Sequence, residues 1–256
     1  MSKGKYTNGR GKKGKTTGIL VAVVVLLLAV LMVLLLDKPA AEPSVETPAA
    51  TSGESAEVPE ASVSIELQEQ SSLNLGYGLE LKDSGKYTGI YMEDGSDEVV
   101  TGLMMIVVEN TGDQDVQYAE ITAVSGEQEY NFVLTNLAAG AQVVLLDQQR
   151  REAADGALTS AVSANVALFS EPMDLMADTV EITGLKGMLN VKNISGADIA
   201  GDIYVYYKYA SMDMFYGGIT FRVRVEGGLA TDEVRQVPAG HFAPKGCTLV
   251  QVTVNG

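Results

Sequence analysis

Hydrophobic positions follow three different patterns along the chain. Residues 18–36 read GILVAVVVLLLAVLMVLLL, 19 positions without a polar side chain. As a helix this run spans about 28 Å at 1.5 Å per residue, close to the roughly 30 Å hydrocarbon core of a bilayer. It predicts a single transmembrane helix. The run is longer than the apolar stretch of a cleaved signal peptide, and the DKPAAEP that follows it offers no clean small-residue cleavage site. Residues 37–72 are a different polymer, with four of the seven prolines, many Ala, Ser, Thr and Glu, and no aromatic residue. Such a segment buries too little apolar area to offset chain entropy. It predicts a disordered linker, although Val63-Ser-Ile-Glu-Leu at its end already alternates as a short strand would.

From Leu73 onward, short runs rich in Val, Ile, Tyr, Thr and Phe are separated by Gly, Asp, Asn and Ser clusters, the signature of strands and turns. Strands are expected at 73–81, 87–92, 99–109, 116–124, 130–135 and 142–146. A second series is expected at 163–169, 179–182, 188–193, 202–209, 218–226, 233–237 and 248–254. Ile219, Phe221, Val223 and Val225 alternate with Thr220, Arg222 and Arg224, and Val250, Val252 and Val254 alternate with Gln251 and Thr253. That is period two, with one dry face. Residues 103–108 are apolar throughout, as a strand covered on both faces would be. One short helix is expected at 147–156, stopped by Gly156. The fold class is therefore all-β: two tandem β-sandwiches, or one fused sandwich, after the membrane helix. The domains expected are a basic tail 1–17, the helix 18–36, the linker 37–72, a first sandwich 73–155 and a second 156–256.

Charge sets the orientation. Six lysines and arginines precede the apolar run with no acid among them, which leaves −21 on the remainder of a chain whose formal charge is −15. Positive flanks stay in the cytoplasm, so the C-terminal region is expected outside the cell membrane. A surface that acidic repels phosphates and excludes nucleic acid as a partner of the outer region. The lipid bilayer is the first partner implied, and a cell-wall or protein ligand the second. Gly9-Arg-Gly-Lys-Lys-Gly-Lys-Thr16 satisfies the P-loop pattern, but no strand precedes it and the helix after it lies in lipid, so it reads as a charge anchor on anionic headgroups.

Little in the sequence carries chemistry. The lone Cys247 cannot form an internal disulfide, and the lone His241 cannot build a zinc site by itself. Cys247 reads as a small buried hydrophobe at the start of a strand. The acidic runs at 93–98 and 113–115 do not match a calcium loop and read as solvated turns. No cofactor, metal or catalytic set is expected. The densest aromatic stretch holds Tyr204, Tyr206, Met214, Phe215 and Tyr216, which are the candidate ligand-binding residues; the alternative is that these side chains pack across strands.

The two halves share a weak repeat. Val108-Glu-Asn-Thr-Gly-Asp-Gln-Asp-Val matches Val191-Lys-Asn-Ile-Ser-Gly-Ala-Asp-Ile, aligning Asn110 with Asn193 and Asp115 with Asp198. Leu137-Ala-Ala and Leu229-Ala-Thr follow at the later turn. This arrangement resembles the immunoglobulin-like FxLYD-type domains of membrane-anchored and secreted Gram-positive bacterial proteins. The likeness covers about 45 residues in each half and implies a binding or spacer module, without catalytic residues. The function expected is a non-catalytic, membrane-anchored envelope protein that binds a ligand or acts as a spacer. The alternative is a membrane-anchored sensor or accessory subunit.

Overall fold

The computed structural model describes residues 63–211 and 213–255; the basic tail, the apolar run and most of the linker lie outside the described residues. Among the described residues the chain is all-β, with no helix. The first series of strands is β1 (Ser64–Gln68), β2 (Leu73–Gly76), β3 (Leu79–Ile90), β4 (Val99–Asn110), β5 (Val116–Ser125), β6 (Gln128–Leu137), β7 (Gln142–Leu146) and β8 (Ser160–Leu168). The second is β9 (Val180–Leu185), β10 (Met188–Asn193), β11 (Asp202–Ser211), β12 (Met214–Val225), β13 (Val234–Pro238) and β14 (Cys247–Asn255).

One sheet runs through both halves in the order β1-β3-β4-β7-β12-β11-β14, with β2 paired to β3. A three-stranded sheet β6-β5-β8 packs on the β3-β4-β7 part, and a second, β13-β10-β9, on the β12-β11-β14 part. The two halves repeat one plan: β3-β4-β7 with β6-β5-β8 corresponds to β9-β10-β13 with β12-β11-β14. The layers exchange roles, because β12 belongs to the long sheet while its counterpart β6 does not. The only pairing that joins the halves in this sheet is parallel, Met214↔Gln142 to Tyr216↔Val144.

The apolar pattern explains the layering. In β4, Met104, Ile106 and Val108 enter the core under β5 and β6, while Leu103, Met105 and Val107 enter a separate cluster on the opposite face. β7 divides the same way, with Val143 and Leu145 on one side and Val144 and Leu146 on the other. The continuous apolar run at 103–108 is thus a strand buried on both faces, as its sequence predicts. In the second half Val205, Tyr207, Val223, Val225 and Val252 form the core.

Four local expectations change. The segment expected as a helix at 147–156 is irregular. Arg150 adopts φ +55°, the Arg151 carbonyl accepts from Met104 N–H at 3.0 Å, and Ala153 N–H donates to the Gly102 carbonyl at 2.9 Å. Bonding to the edge of β4 replaces the helical ladder. The boundary at 155 would cut β8 away from β5, with which it pairs, so the first half reaches Leu168. The linker expected over 37–72 contains β1 and the residues beyond it, because Ser64–Gln68 pairs in register with Ser84–Thr88. Finally, Val250 does not join the dry face of β14. The register slips between Tyr206↔Gln251 and Tyr207↔Leu249, and this bulge turns Cys247 and Leu249 toward the core instead.

Candidate functional site

The repeated asparagine turns show how local sequence fixes each half. Asn110 is fully buried; its Nδ2 donates to the Gln114 carbonyl at 2.9 Å and the Leu137 carbonyl at 3.2 Å. Asn193, also fully buried, donates to the Ala197 carbonyl at 2.7 Å and the Leu229 carbonyl at 3.1 Å. Each Oδ1 accepts the N–H two residues on, from Gly112 and Ser195. Asp115 accepts from Ala139 N–H at 2.9 Å and Asp198 from Thr231 N–H at 2.8 Å. One side chain therefore ties its own turn to the turn two strands later, and the same scheme is built twice.

The joint between the halves is made by the loop linking β3 to β4. Its acidic run, expected as a solvated turn, is largely engaged. Glu93 is 6% exposed. Its carboxylate accepts from Leu146 N–H at 2.9 Å and from Gly218 N–H at 2.8 and 3.0 Å. Asp94 and Glu98 clasp Arg150, whose guanidinium lies 4.3 Å from the Tyr91 ring centre. Asp97 Oδ2 lies 3.4 Å from His241 Nδ1. The His241 ring stacks on Phe221 at 4.6 Å, and Tyr209 Oη lies 3.4 Å from the same Nδ1. One loop thus contacts β7 and Arg150 of the first half and β12 and His241 of the second.

Opposite Glu93, across the Gly218 peptide, is Lys208, fully buried on β11. Its ammonium donates to the carbonyls of Thr135, Gly218 and Ile219, each at 2.9 Å. β6 and β12 are not paired by backbone hydrogen bonds, so this ammonium bridges them. Burial pushes the Lys208 ammonium down from its ordinary pKa and the Glu93 carboxyl up from its own, while the Leu146 and Gly218 N–H groups and the cation opposite pull Glu93 back. Three carbonyl acceptors match the three protons of an ammonium, where a neutral amine has only two. That geometry, with Thr220 Oγ1 a fourth acceptor at 3.3 Å, favours the ammonium against the desolvation that lowers its pKa. The strands approach closely here: a Cβ on Gly218 would sit 1.7 Å from the Val133 carbonyl oxygen.

Beside this joint is a cavity of about 690 Å³. Ile65 of β1, Tyr87 and Ile90 of β3, Met92, Tyr216 and Phe242 line it, and Asp97, Lys186 and His241 supply the charged or titratable wall atoms. The walls are mostly apolar. The Tyr87 hydroxyl is already used, donating to the Ile90 carbonyl at 2.7 Å, and burial pushes its pKa up. Val63, the first described residue, lies at the same cavity and is 49% exposed.

The five predicted binding residues do not form one site. Tyr216 lines the cavity and, with Met214, packs on the cluster at the outer face of β4 and β7. Phe215 points the other way, against the first core, because neighbouring residues of a strand face opposite sides. Met214 and Phe215 also border a separate depression of about 440 Å³. Tyr204 and Tyr206 are half-buried elsewhere on β11, and Tyr204 stacks under Arg222 at 5.1 Å. Pairing of β12 with β7 thus uses part of the aromatic tip as packing. Cys247 does not meet the His241 ring: its thiol donates to the His241 carbonyl at 3.4 Å, and burial pushes the thiol pKa up. Among the described residues no three His, Cys, Asp or Glu side chains converge.

Sequence reasoning missed Lys208, Glu93 and the cavity. The one available signal was a lysine set among tyrosines inside a strand, Tyr206-Tyr207-Lys208-Tyr209, where a charge needs either solvent or a partner. Compared with known protein families, curated proteins and solved structures, the chain has no match.

Proposed function

We propose that this chain is a single-pass membrane-anchored envelope protein whose outer region, two fused immunoglobulin-like sandwiches, binds a ligand without catalysis in the cavity at their joint. The anchor is supported by the uninterrupted apolar run at 18–36 and the six positive residues before it. The immunoglobulin-like, FxLYD-type reading is supported by the duplicated Asn and Asp turn contacts. The observation that carries binding is the cavity itself. At about 690 Å³ it falls within the roughly 300–1,000 Å³ of ordinary ligand sites, and it has their mostly apolar wall with a few polar atoms.

Two measurements test the reading. Protease added to intact cells should remove the region after residue 62, while residues 1–36 stay with carbonate-washed membranes. Recovery of the intact chain in the soluble fraction would refute the anchor. Native mass spectrometry of the full chain released from its own membranes should show a small-molecule adduct that Ala243→Phe, which places a ring in the cavity, abolishes. A wild-type chain free of adduct would refute the binding site.

A further inference from the structure

We infer that the ligand of this cavity is the hydrocarbon tail of a membrane lipid, acyl or isoprenoid; this rests on the binding reading above. Ile65, Ile90, Met92, Tyr87, Tyr216 and Phe242 present apolar surface. The polar atoms near them are largely engaged with one another: Tyr87 with the Ile90 carbonyl, and Tyr209 and Asp97 with His241. A peptide lying in such a space would bury backbone N–H and C=O groups without partners. A hydrocarbon tail has none to satisfy. The Lys186 ammonium at the wall offers a cation to an acidic headgroup, which favours a tail entering with its head at that side.

About 690 Å³ lies within the roughly 300–1,000 Å³ of ordinary ligand sites, room for a long hydrocarbon tail.

Val63 borders the cavity, and only the 26 residues of 37–62 separate it from the end of the apolar run. A chain of that length reaches at most about 90 Å. On the membrane-anchored reading proposed above, that covalent limit keeps the cavity within about 90 Å of the bilayer, where lipid tails are concentrated.

The test uses the full chain in bilayer vesicles that carry either a diazirine-bearing fatty acyl lipid or a diazirine-bearing polyprenyl phosphate. After illumination, cross-linked peptides are mapped by mass spectrometry. The expected result is adducts on Met92, Ala210, Tyr216 or 240–246 with at least one probe, the better probe identifying the tail. These adducts should fall in Ala243→Phe to the level found at Tyr204 and Tyr206 on the outer face. Ala210→Phe serves as a second blocked variant if the first does not fold. Adducts confined to residues 18–36, or equal in wild type and blocked chains, would overturn the inference. If native mass spectrometry finds an adduct and neither lipid probe enters, the cavity binds a different class of molecule and only the lipid inference fails. If both are negative, the binding site fails as well.

Discussion

Lys208→Met keeps most of the aliphatic stem and deletes the charge that bridges β6 to β12. Three carbonyl oxygens now reached at 2.9 Å lose their donor, and the Glu93 carboxylate loses the cation across the Gly218 peptide. Removing one member of a buried charge pair costs about 3–5 kcal/mol. Orphaned carbonyls at about 1–3 kcal/mol each give a larger sum, but they share one site and relax together, so the expected loss is about 4 kcal/mol. At about 2–4 °C per kcal/mol for a folded region of this size, the midpoint should fall by about 8–16 °C. The chain has 11 tyrosines and no tryptophan, so near-UV circular dichroism of the tyrosines is the probe, applied to the detergent-solubilised full chain in urea and on heating. Glu93→Gln tests the same contact from the other side, since it leaves the buried ammonium without its countercharge. The double variant removes both charges and should be more stable than the sum of the single losses by about 1–3 kcal/mol. A Lys208→Met loss below about 1 kcal/mol, or additivity within about 0.5 kcal/mol, would refute a buried ionic bridge between the halves.

Other consequences follow from the same contacts. Gly218→Ala places a methyl group 1.7 Å from a backbone oxygen of β6, which only strand movement can relieve. Its thermal midpoint should drop as far as that of Lys208→Met, whereas Gly240→Ala, with open space around it, should leave the midpoint unchanged. Asn110→Ala and Asn193→Ala each orphan two or more backbone carbonyls in equivalent turns. Each should cost about 2–3 kcal/mol in urea unfolding, and a large cost at one site with none at the other would contradict the repeat. The Thr231 N–H and hydroxyl hold the Asp198 carboxyl below its ordinary 3.8. Because the folded pKa is depressed, its stabilising share is present above that value and is lost as pH falls through the folded pKa. Midpoints of Asp198→Asn measured below about pH 4 should therefore depend less on pH than those of wild type.

Alternation and turn chemistry made most of the strands legible. Gln142–Leu146 and Met188–Asn193 begin and end where the pattern predicts, because apolar runs bounded by turn residues leave few other solutions. The duplicated Asn-x-x-x-x-Asp turns were legible for the same reason: an asparagine at a strand end bonds its own next turn, and that is a local property. Residues 147–156 misled because their composition suits a helix, while the start of β4, beyond the end of β7, offered their backbone better partners. At the aromatic tip, whether a tyrosine at 216 and a phenylalanine at 215 face a ligand or a core depends on what lies beside the strand. Composition is blind to that.

The chain's own order of residues thus determined the all-β class, most strand positions, the twofold plan and the apolar run at 18–36, since each depends on periodicities a few residues long; the strands expected at 73–81 and 87–92 are instead the β2–β3 hairpin, which turns at Tyr77-Gly78 and runs on to Ile90. The tertiary structure alone decided that the halves join through a parallel β7–β12 pairing, that an acidic loop and a lone lysine meet inside the joint, and that a cavity is left beside them. Glu93 and Lys208 are 115 positions apart in the chain, and nothing local marks either as buried. Their juxtaposition, on either side of Gly218, follows from the packing of one sheet against another, where a charge removed from water must find polar partners in space rather than in sequence.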